Sequence, residues 1–452
     1  MWRWGVELLY RNYSRYFQVM IKIMQIPFDS KLSSRTTLWE ATSAPGPELN
    51  ALEGNFKADV AVIGAGIAGL STALHLAEAG CSVIVIEAEA PGSGATGASG
   101  GLLAPDFIKH SPDDIENMLG QDWGKRLIRM VGTSTRQCFD LIEKHKISCD
   151  ARQDGFWCPA HDMAVASRLK TRATEWRDRG YDVDFISSEK TQSELGSPHY
   201  CGSIYFSEGG AINPLAFSRG LAEAVIKQGA DIYVNSPVLN LEQHLGGWRV
   251  STENGVVDAK RVVLAANGGN AALHPAMRKT VLPLSVFEYA TRPLSAADRA
   301  RVLPNGGSFT DKQSYMFTAR YDGEGRVIAA LPDFFVKRST STIIKEASQR
   351  LLRHFPEMED VSIEYLWKGT CMLNASLLPK IYDLNDGAYA IQACNGRGLA
   401  NNVVLGKELA ASLIHQDMNL LSVKAEAPRK VNGYFLAKYI PSMMMAFAYV
   451  RQ

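Results

Sequence analysis

The chain has 452 residues, too many for one compact core and enough for two or three domains. Its 48 basic and 47 acidic residues leave a net charge of +1, which argues against a nucleic-acid binder, and its 46% hydrophobic content is that of an ordinary globular protein. The seven cysteines (Cys81, Cys138, Cys149, Cys158, Cys201, Cys371 and Cys394) show neither CxxC nor Cys/His spacing, which points to a reducing, cytoplasmic compartment and away from a disulfide framework or a metal site.

Residues 1–56 read as an N-terminal extension. Its first 28 residues, MWRWGVELLYRNYSRYFQVMIKIMQIPF, are aromatic and basic but lack the unbroken apolar run of a membrane span or secretory signal. An organelle presequence or a membrane-surface helix fits this composition. The simpler reading is that translation starts at Met20 or Met24.

The strongest pattern follows. An apolar run, Ala58 to Ile63, leads into Gly64-x-Gly66-x-x-Gly69, then a periodic apolar helix ending at Gly80, then Val83 to Ile86 and the acid Glu87. This is a strand–turn–helix–strand unit built for a dinucleotide. Gly64 permits the tight turn, Gly66 lets the backbone approach a pyrophosphate, and Gly69 lets helix and strand pack closely. Ile67 and Ala68 open the helix, whose free N–H groups and dipole face the phosphates. Glu87, followed by Ala88, is placed to bind the ribose hydroxyls, which disfavours NADP. The loop Pro91–Gly101 then decides between NAD and FAD. Thr96, Ser99 and the backbone of Gly100, Gly101 and Leu102 suit a second loop that closes over a flavin dinucleotide.

Residues 106–200 are mixed and charged, with helices expected near 112–119, 122–145 and 162–179. A Pro-started helix within GGAINPLAFSRGLAEAVIKQGA closes at Gly229. Strands are expected at Asp231–Val234, Val238–Glu242, Trp248–Thr252 and Val256–Asp258, with a hairpin turn at Asn254-Gly255. RVVLAANGGN reads as a further strand ending in Ala265, Asn267 and Gly268. Residues 281–335 alternate and are rich in β-branched and aromatic residues, as in an antiparallel sheet. A helix near 341–354 precedes EYLWKGTCM and a second strand–glycine turn–helix, YAIQACNGRGLANNVVLGKELAASLI. Residues 421–452 form a C-terminal tail that is apolar from Val431 but interrupted by Lys438 and Pro441, so it is expected to pack on the core, with weak membrane contact as the alternative.

The expected architecture is α/β (α+β overall). A Rossmann-like FAD-binding domain is assembled from residues 57–105, 205–275 and 360–420. A mixed β-sheet substrate domain, residues 106–204 and 276–359, is inserted in it.

The order and spacing of five blocks resembles the FAD-dependent D-amino-acid oxidase superfamily, in its amine-oxidising branch of glycine, sarcosine, pipecolate and gamma-glutamylputrescine oxidases. The blocks are the glycine fingerprint with Glu87, the Thr96–Gly101 loop, GGAINPLAFSRGLA, VVLAANGGN, and the paired WKGTCM and NGRG segments. The resemblance implies that FAD is the cofactor. It places Val238 against the adenine and the turn Asn395–Leu399 (Gly396, Arg397, Gly398, Leu399) under the flavin pyrimidine. Family enzymes move hydride from a carbon bearing an amine to flavin N5, giving an imine.

Arg397, between two glycines at a helix start, suits stabilisation of the reduced flavin's anionic edge. Lys337 stands roughly where sarcosine oxidase keeps an oxygen-activating lysine. Lys368-Gly-Thr-Cys371-Met372 resembles the segment by which sarcosine and pipecolate oxidases bind flavin through a cysteinyl thioether, with Lys368 lowering the thiol pKa. The two carboxylate anchors of the family are missing, being Cys371 and Leu399-Ala400-Asn401 here. A free amino acid then needs another anchor, Arg320 or Arg397; the alternative is an amine or amide without an α-carboxylate, as in the gamma-glutamylputrescine branch. Tyr315, Phe317 and Tyr321 are either pocket lining or plain core. Three functions remain open: an oxidase using O2, a dehydrogenase feeding a quinone or carrier, and a flavin-binding subunit without chemistry.

Overall fold

The computed structural model describes residues 37–334, 338–359 and 361–451. The expectations for residues 1–28 and for Lys337 lie outside the described residues.

The glycine fingerprint folds as its pattern dictates. The strand Gly54–Ile63 pairs in parallel with Val83–Ile86 on one side and with Gly255–Leu264 on the other. Ala388–Gln392 and Asp231–Tyr233 extend this sheet in parallel, and Lys380–Asp383 closes one edge antiparallel. Parallel strands need crossovers, and the helix Ile67–Glu78 supplies the first. The helix Gly398–His415 packs against it so closely that a β-carbon on Gly406 would lie 2.7 Å from Ser71 Cβ, and Ser71 Oγ donates to the Val403 carbonyl at 2.7 Å. That contact fixes the second glycine turn relative to the first.

The hairpin turn at Asn254-Gly255 forms as expected, with Ser251 opposite Val256. The expected strands Val256–Asp258 and RVVL are instead one ten-residue strand, Gly255–Leu264. The charges that seemed to divide it are satisfied at the sheet surface: Lys260 pairs with Asp59 at 2.7 Å, and Arg261 Nη1 reaches the Leu413 carbonyl at 3.0 Å.

A second eight-stranded sheet faces the first domain. Its order is 363–373, 282–291, 327–332, 318–321, 308–310, 156–159, 203–206, 183–186, all antiparallel except the pair 308–310 with 156–159. Two sequence readings are corrected here. The segment 106–200 carries two strands, Phe156–Pro159 and Val183–Ile186, besides its helices. The expected start of the last cofactor segment at residue 360 also fails, because Ile363–Leu373 pairs with Leu282–Thr291 along nearly its whole length. The helices 112–119 and 122–145 run on as Pro112–His145, broken in φ/ψ at Gly120 (φ 78°).

The far face of the second sheet is covered by the helix Thr340–His354 and by the tail helix Ile440–Val450. Tyr449 of the tail lies 5.5 Å from the Tyr315 ring and 5.0 Å from Phe334. The tail therefore packs on the core, while Phe435 and Val450 remain 77% and 83% exposed. Among the described residues no helix is long and apolar enough to cross a membrane.

Candidate active site

The dinucleotide cradle is built from strand ends. Gly64 has φ 109°, and a β-carbon there would press within 2.9 Å of the Ala265 carbonyl group, so only glycine fits. A β-carbon on Gly69 would fall on the Gly64 carbonyl oxygen. Gly66 differs: a β-carbon there would meet only Thr96 Oγ1, at 3.4 Å, between the first and second glycine loops. Gly66 is also the N-cap of the Ile67–Glu78 helix and offers no capping side chain, so the first-turn N–H groups, including those of Ile67 and Ala68, are free of a side-chain acceptor.

Glu87 is held at the end of its strand by N–H donors from Ala65 (2.6 Å) and Glu89 (3.0 Å), beside exposed Ala88. Ser236 N donates to the Glu87 carbonyl, which brings the segment leading to Val238 alongside the acid. Asn267 takes a left-handed turn (φ 51°), and Gly268 packs on Met372. An acid at the ribose position, a bare helix N-terminus and two glycine loops around Gly66 fit an FAD adenylate and pyrophosphate.

The second loop is gripped from outside. Three consecutive carbonyls each accept a bond from a large side chain: Ala98 from Trp367 Nε1 (3.1 Å), Ser99 from Trp39 Nε1 (2.8 Å) and Gly100 from Arg320 Nε (2.7 Å). Arg320 also donates to the carbonyls of Ile212 (2.9 Å) and Tyr321 (3.1 Å) and lies 4.9 Å from the Trp39 ring centre. Gly101 (φ 77°) leaves no room for a side chain between Ile212 and Arg320, and Leu102 pairs with Ala211. Ser99 Oγ turns back to the Thr96 carbonyl at 2.9 Å. Arg320 is therefore not the expected substrate anchor. It is 1% exposed and its donors are committed to backbone. Tyr315 is likewise removed from the substrate pocket, because its one hydroxyl proton is shared within the far-side core between Pro332 O (2.9 Å) and Glu346 Oε1 (3.0 Å). Phe317 and Tyr321 are core as well.

The two neighbouring strands of the second sheet present a partly exposed row toward this loop. Leu284, Val286 and Glu288 lie across from Cys371, Gly369 and Trp367 respectively. A β-carbon on Gly100 would lie 3.0 Å from Glu288 Oε2, and one on Gly369 would lie 3.1 Å from Ala98. Desolvation in this setting pushes the Glu288 carboxyl up to about 8, with Arg320 opposing only in part. Because the folded value lies above the ordinary one of 4.5, Glu288 favours the fold at low pH and that contribution is lost as pH rises from 4.5 through about 8. Glu288→Gln is expected to melt at a higher temperature than the parent at pH 9 and close to it at pH 5. Parallel melting curves at both values would refute the shift.

Cys371 meets Cys394 rather than a cation. The two thiols are hydrogen-bond partners. The Cys371 S–H, with N–H groups of Gly396 and Met372 and the Asn267 side chain, holds Cys394 below the usual thiol range despite burial. Cys371 is itself raised, first by Cys394 and then by burial. The expected help from Lys368 fails for a geometric reason. Residues three apart on a strand face opposite ways, and Lys368 pairs with Asp333 at 2.8 Å. With thiolate character on Cys394, Cys371 is expected to carry no covalent flavin. Acid precipitation should release all the FAD to the supernatant, whereas a yellow pellet lost in Cys371→Ala would establish the thioether.

Arg397 is the N-cap residue of the Gly398–His415 helix, after Gly396 (φ 78°). Its side chain is 12% exposed, so it is no solvated surface charge, and its guanidinium turns to the Asp106 carbonyl (3.1 Å) and over the Phe156 ring. Gly398 packs under Ala393, and Leu399 is half-buried behind it. Contacts link the fingerprint to Glu87, to Thr96 and to Ala265, and Cys371 to Cys394 beside Gly396 and Asn267, whereas Arg320 and Tyr315 are structural residues.

Three participants went unrecognised in sequence. Trp39 was announced by a capping box, Thr37-x-x-Glu40, which forms as the helix Leu38–Thr42. Glu288 stands as an acid on the same strand row as Leu284 and Val286. Asp106 carried no local signal.

Comparison with known proteins identifies the family. Residues 59–412 match the family described as "FAD dependent oxidoreductase" (DAO). The chain is 28% identical over 403 residues to gamma-glutamylputrescine oxidoreductase of Escherichia coli K12, covering 88% of this chain and 93% of that protein. Among solved structures it is similar to L-proline dehydrogenase from P. horikoshii (TM-score 0.69, 17% identity, 81% of this chain and 96% of that one). It is also similar to glycine oxidase from Geobacillus kaustophilus (TM-score 0.67, 20% identity, 80% and 95%). The chain belongs to the DAO family of FAD-dependent oxidoreductases.

Proposed function

We propose that this enzyme oxidises the C–N bond of an amine or amino-acid-like substrate to an imine, which water then hydrolyses, and that the electrons pass to O2 to give hydrogen peroxide. The observation that supports this reading most is the second glycine loop packed on the paired strands 282–291 and 363–373, with Gly100 beside Glu288 and Ala98 beside Gly369, in a chain similar to an enzyme named for an amine substrate. FAD, when bound, supplies the hydride acceptor. The chain's own residues hold and orient. Trp39, Trp367 and Arg320 fix the second loop, and the bare N-terminus of the Gly398 helix offers N–H groups toward developing negative charge. Amine oxidation needs little acid–base machinery when the amine binds neutral.

Anaerobic mixing with a panel of primary amines, N-alkyl amino acids and gamma-glutamyl amines tests the reading. At least one class should bleach the flavin band, and air should restore it with stoichiometric peroxide. Bleaching that only an added quinone or dye reverses would replace O2 by an electron carrier. A flavin that dithionite bleaches but no amine or amino acid does would overturn amine oxidation.

A further inference from the structure

Behind Arg397 the interior charges do not balance. The Asp106 carboxylate, with no exposed side-chain surface, has three cations within 4 Å: Arg172 Nη2 at 2.5 Å, Arg397 Nη1 at 3.5 Å and Lys312 Nζ at 3.7 Å. Their side chains are 9%, 12% and 16% exposed. They come from four parts of the chain. Asp106 follows the second glycine loop, Arg172 lies on the helix Met163–Arg177, Lys312 follows the strand Ser308–Thr310, and Arg397 opens the last helix of the cofactor domain. One carboxylate thus faces three formal positive charges.

Acceptors are short as well. Arg172 is anchored by Asp106 and by the Phe107 carbonyl at 2.6 Å, yet its Nε is buried without a partner. Arg397 has the Asp106 carbonyl and, on its other terminal nitrogen, among the described residues only the Cys158 sulfur at 4.0 Å. Lys312 Nζ donates no hydrogen bond to any described residue, and Asp106 is the one carboxylate that draws on it. Burial holds the Lys312 ammonium below the usual lysine range; Arg397 and Arg172 add to the effect, and the Cys158 sulfur and Asp106 oppose it without cancelling it. Burying like charges without a counter-charge is costly, and an anion on the side where Lys312 and Arg397 keep some exposure relieves it.

We propose that Lys312 and Arg397 form the seat for a carboxylate of the substrate, so that the preferred substrates are amines bearing a carboxylate rather than plain alkylamines. This rests on the reading of the chain as an amine-oxidising flavoenzyme. The positions involved are neither of the two anchor positions that are missing from this sequence. Arg172 and Asp106 act as positioning residues: Asp106 binds all three cations and keeps Lys312 and Arg397 together, and Arg172 offsets its charge.

Ligand binding can be read apart from turnover. The FAD-loaded protein is titrated with unreactive monocarboxylates, acetate to valerate, and with the matched amides at constant ionic strength, following the flavin difference spectrum and calorimetric heat. Carboxylates should bind saturably and amides should not. Lys312→Met should weaken carboxylate binding about tenfold to a hundredfold, the loss of one charge-assisted contact. Lys312→Arg should restore most of it, and FAD content should be unchanged in both. If Lys312→Met does not fold, the carboxylate–amide contrast and Lys312→Arg still decide. Equal binding of carboxylate and amide, or carboxylate binding no tighter than chloride, overturns the seat. Substrate oxidation distinguishes the two layers. If plain amines are oxidised as well as carboxylate-bearing ones and Lys312→Met leaves kcat/KM unchanged, the seat falls while amine oxidation stands. If carboxylates bind as expected but no amine reduces the flavin, amine oxidation falls.

Discussion

Gly66→Val is expected to give a folded, colourless protein. The side chain would project between the two glycine loops, where only Thr96 Oγ1 lies within 4 Å of a β-carbon, so the apoprotein can accommodate it. The same side chain would stand in front of the helix N-terminus and exclude a pyrophosphate. Gly69→Ala is the contrast. Its methyl group would fall on the Gly64 carbonyl oxygen, so the helix must separate from its strand and the protein should fail to fold. Absorbance of bound flavin and a circular-dichroism melt distinguish the two. A fully yellow Gly66→Val would show that the cradle is used differently, and a normally stable Gly69→Ala would contradict the helix–strand packing.

Arg320→Leu should be the most damaging single change in the cleft outside the glycines. It leaves the carbonyls of Gly100, Ile212 and Tyr321 without their guanidinium donor in a buried setting. That loss, with the stacked Trp39 left beside a gap, is expected to cost roughly 3–5 kcal/mol of stability and most of the FAD affinity. Arg320→Lys should recover little, since one ammonium cannot reach three divergent carbonyls. Equilibrium denaturation and FAD titration measure both effects. A variant with unchanged stability would return Arg320 to the role of a spare cation.

What could be read from sequence divides along a physical line. The cofactor half was legible because its constraints are local: Gly64, Gly66 and Gly69 answer to one turn, and Glu87 ends the next strand of the same unit. The hairpin at Asn254-Gly255 and the helix that begins at Pro214 were legible for the same reason. The second sheet was legible only where its strands are long. Leu282–Thr291 alternates from Leu284 to Tyr289, whereas Phe156–Pro159 is fully buried over four residues and has no period to show. Ile363–Leu373 was assigned to the wrong domain because pairing partners are not written in a strand's own sequence. The charged residues suffered most. Arg320, within a plausible aromatic pocket, proved to be a backbone clamp. Lys312, an unremarkable lysine after a strand, became part of a buried cluster because loops distant in sequence converge on Asp106.

The grip on the Thr96–Gly101 loop has a consequence for how the protein is made. Trp39 precedes Ser99 by 60 residues, but Arg320 follows Gly100 by 220 and Trp367 follows Ala98 by 269. On the ribosome the fingerprint strand and helix emerge early, yet the second loop has no complete set of anchors until most of the chain has been synthesised. Translation at roughly 5–20 residues per second separates those events by many seconds. A nascent chain can therefore meet FAD long before it can retain it, and firm cofactor capture waits until the chain has been made past Trp367.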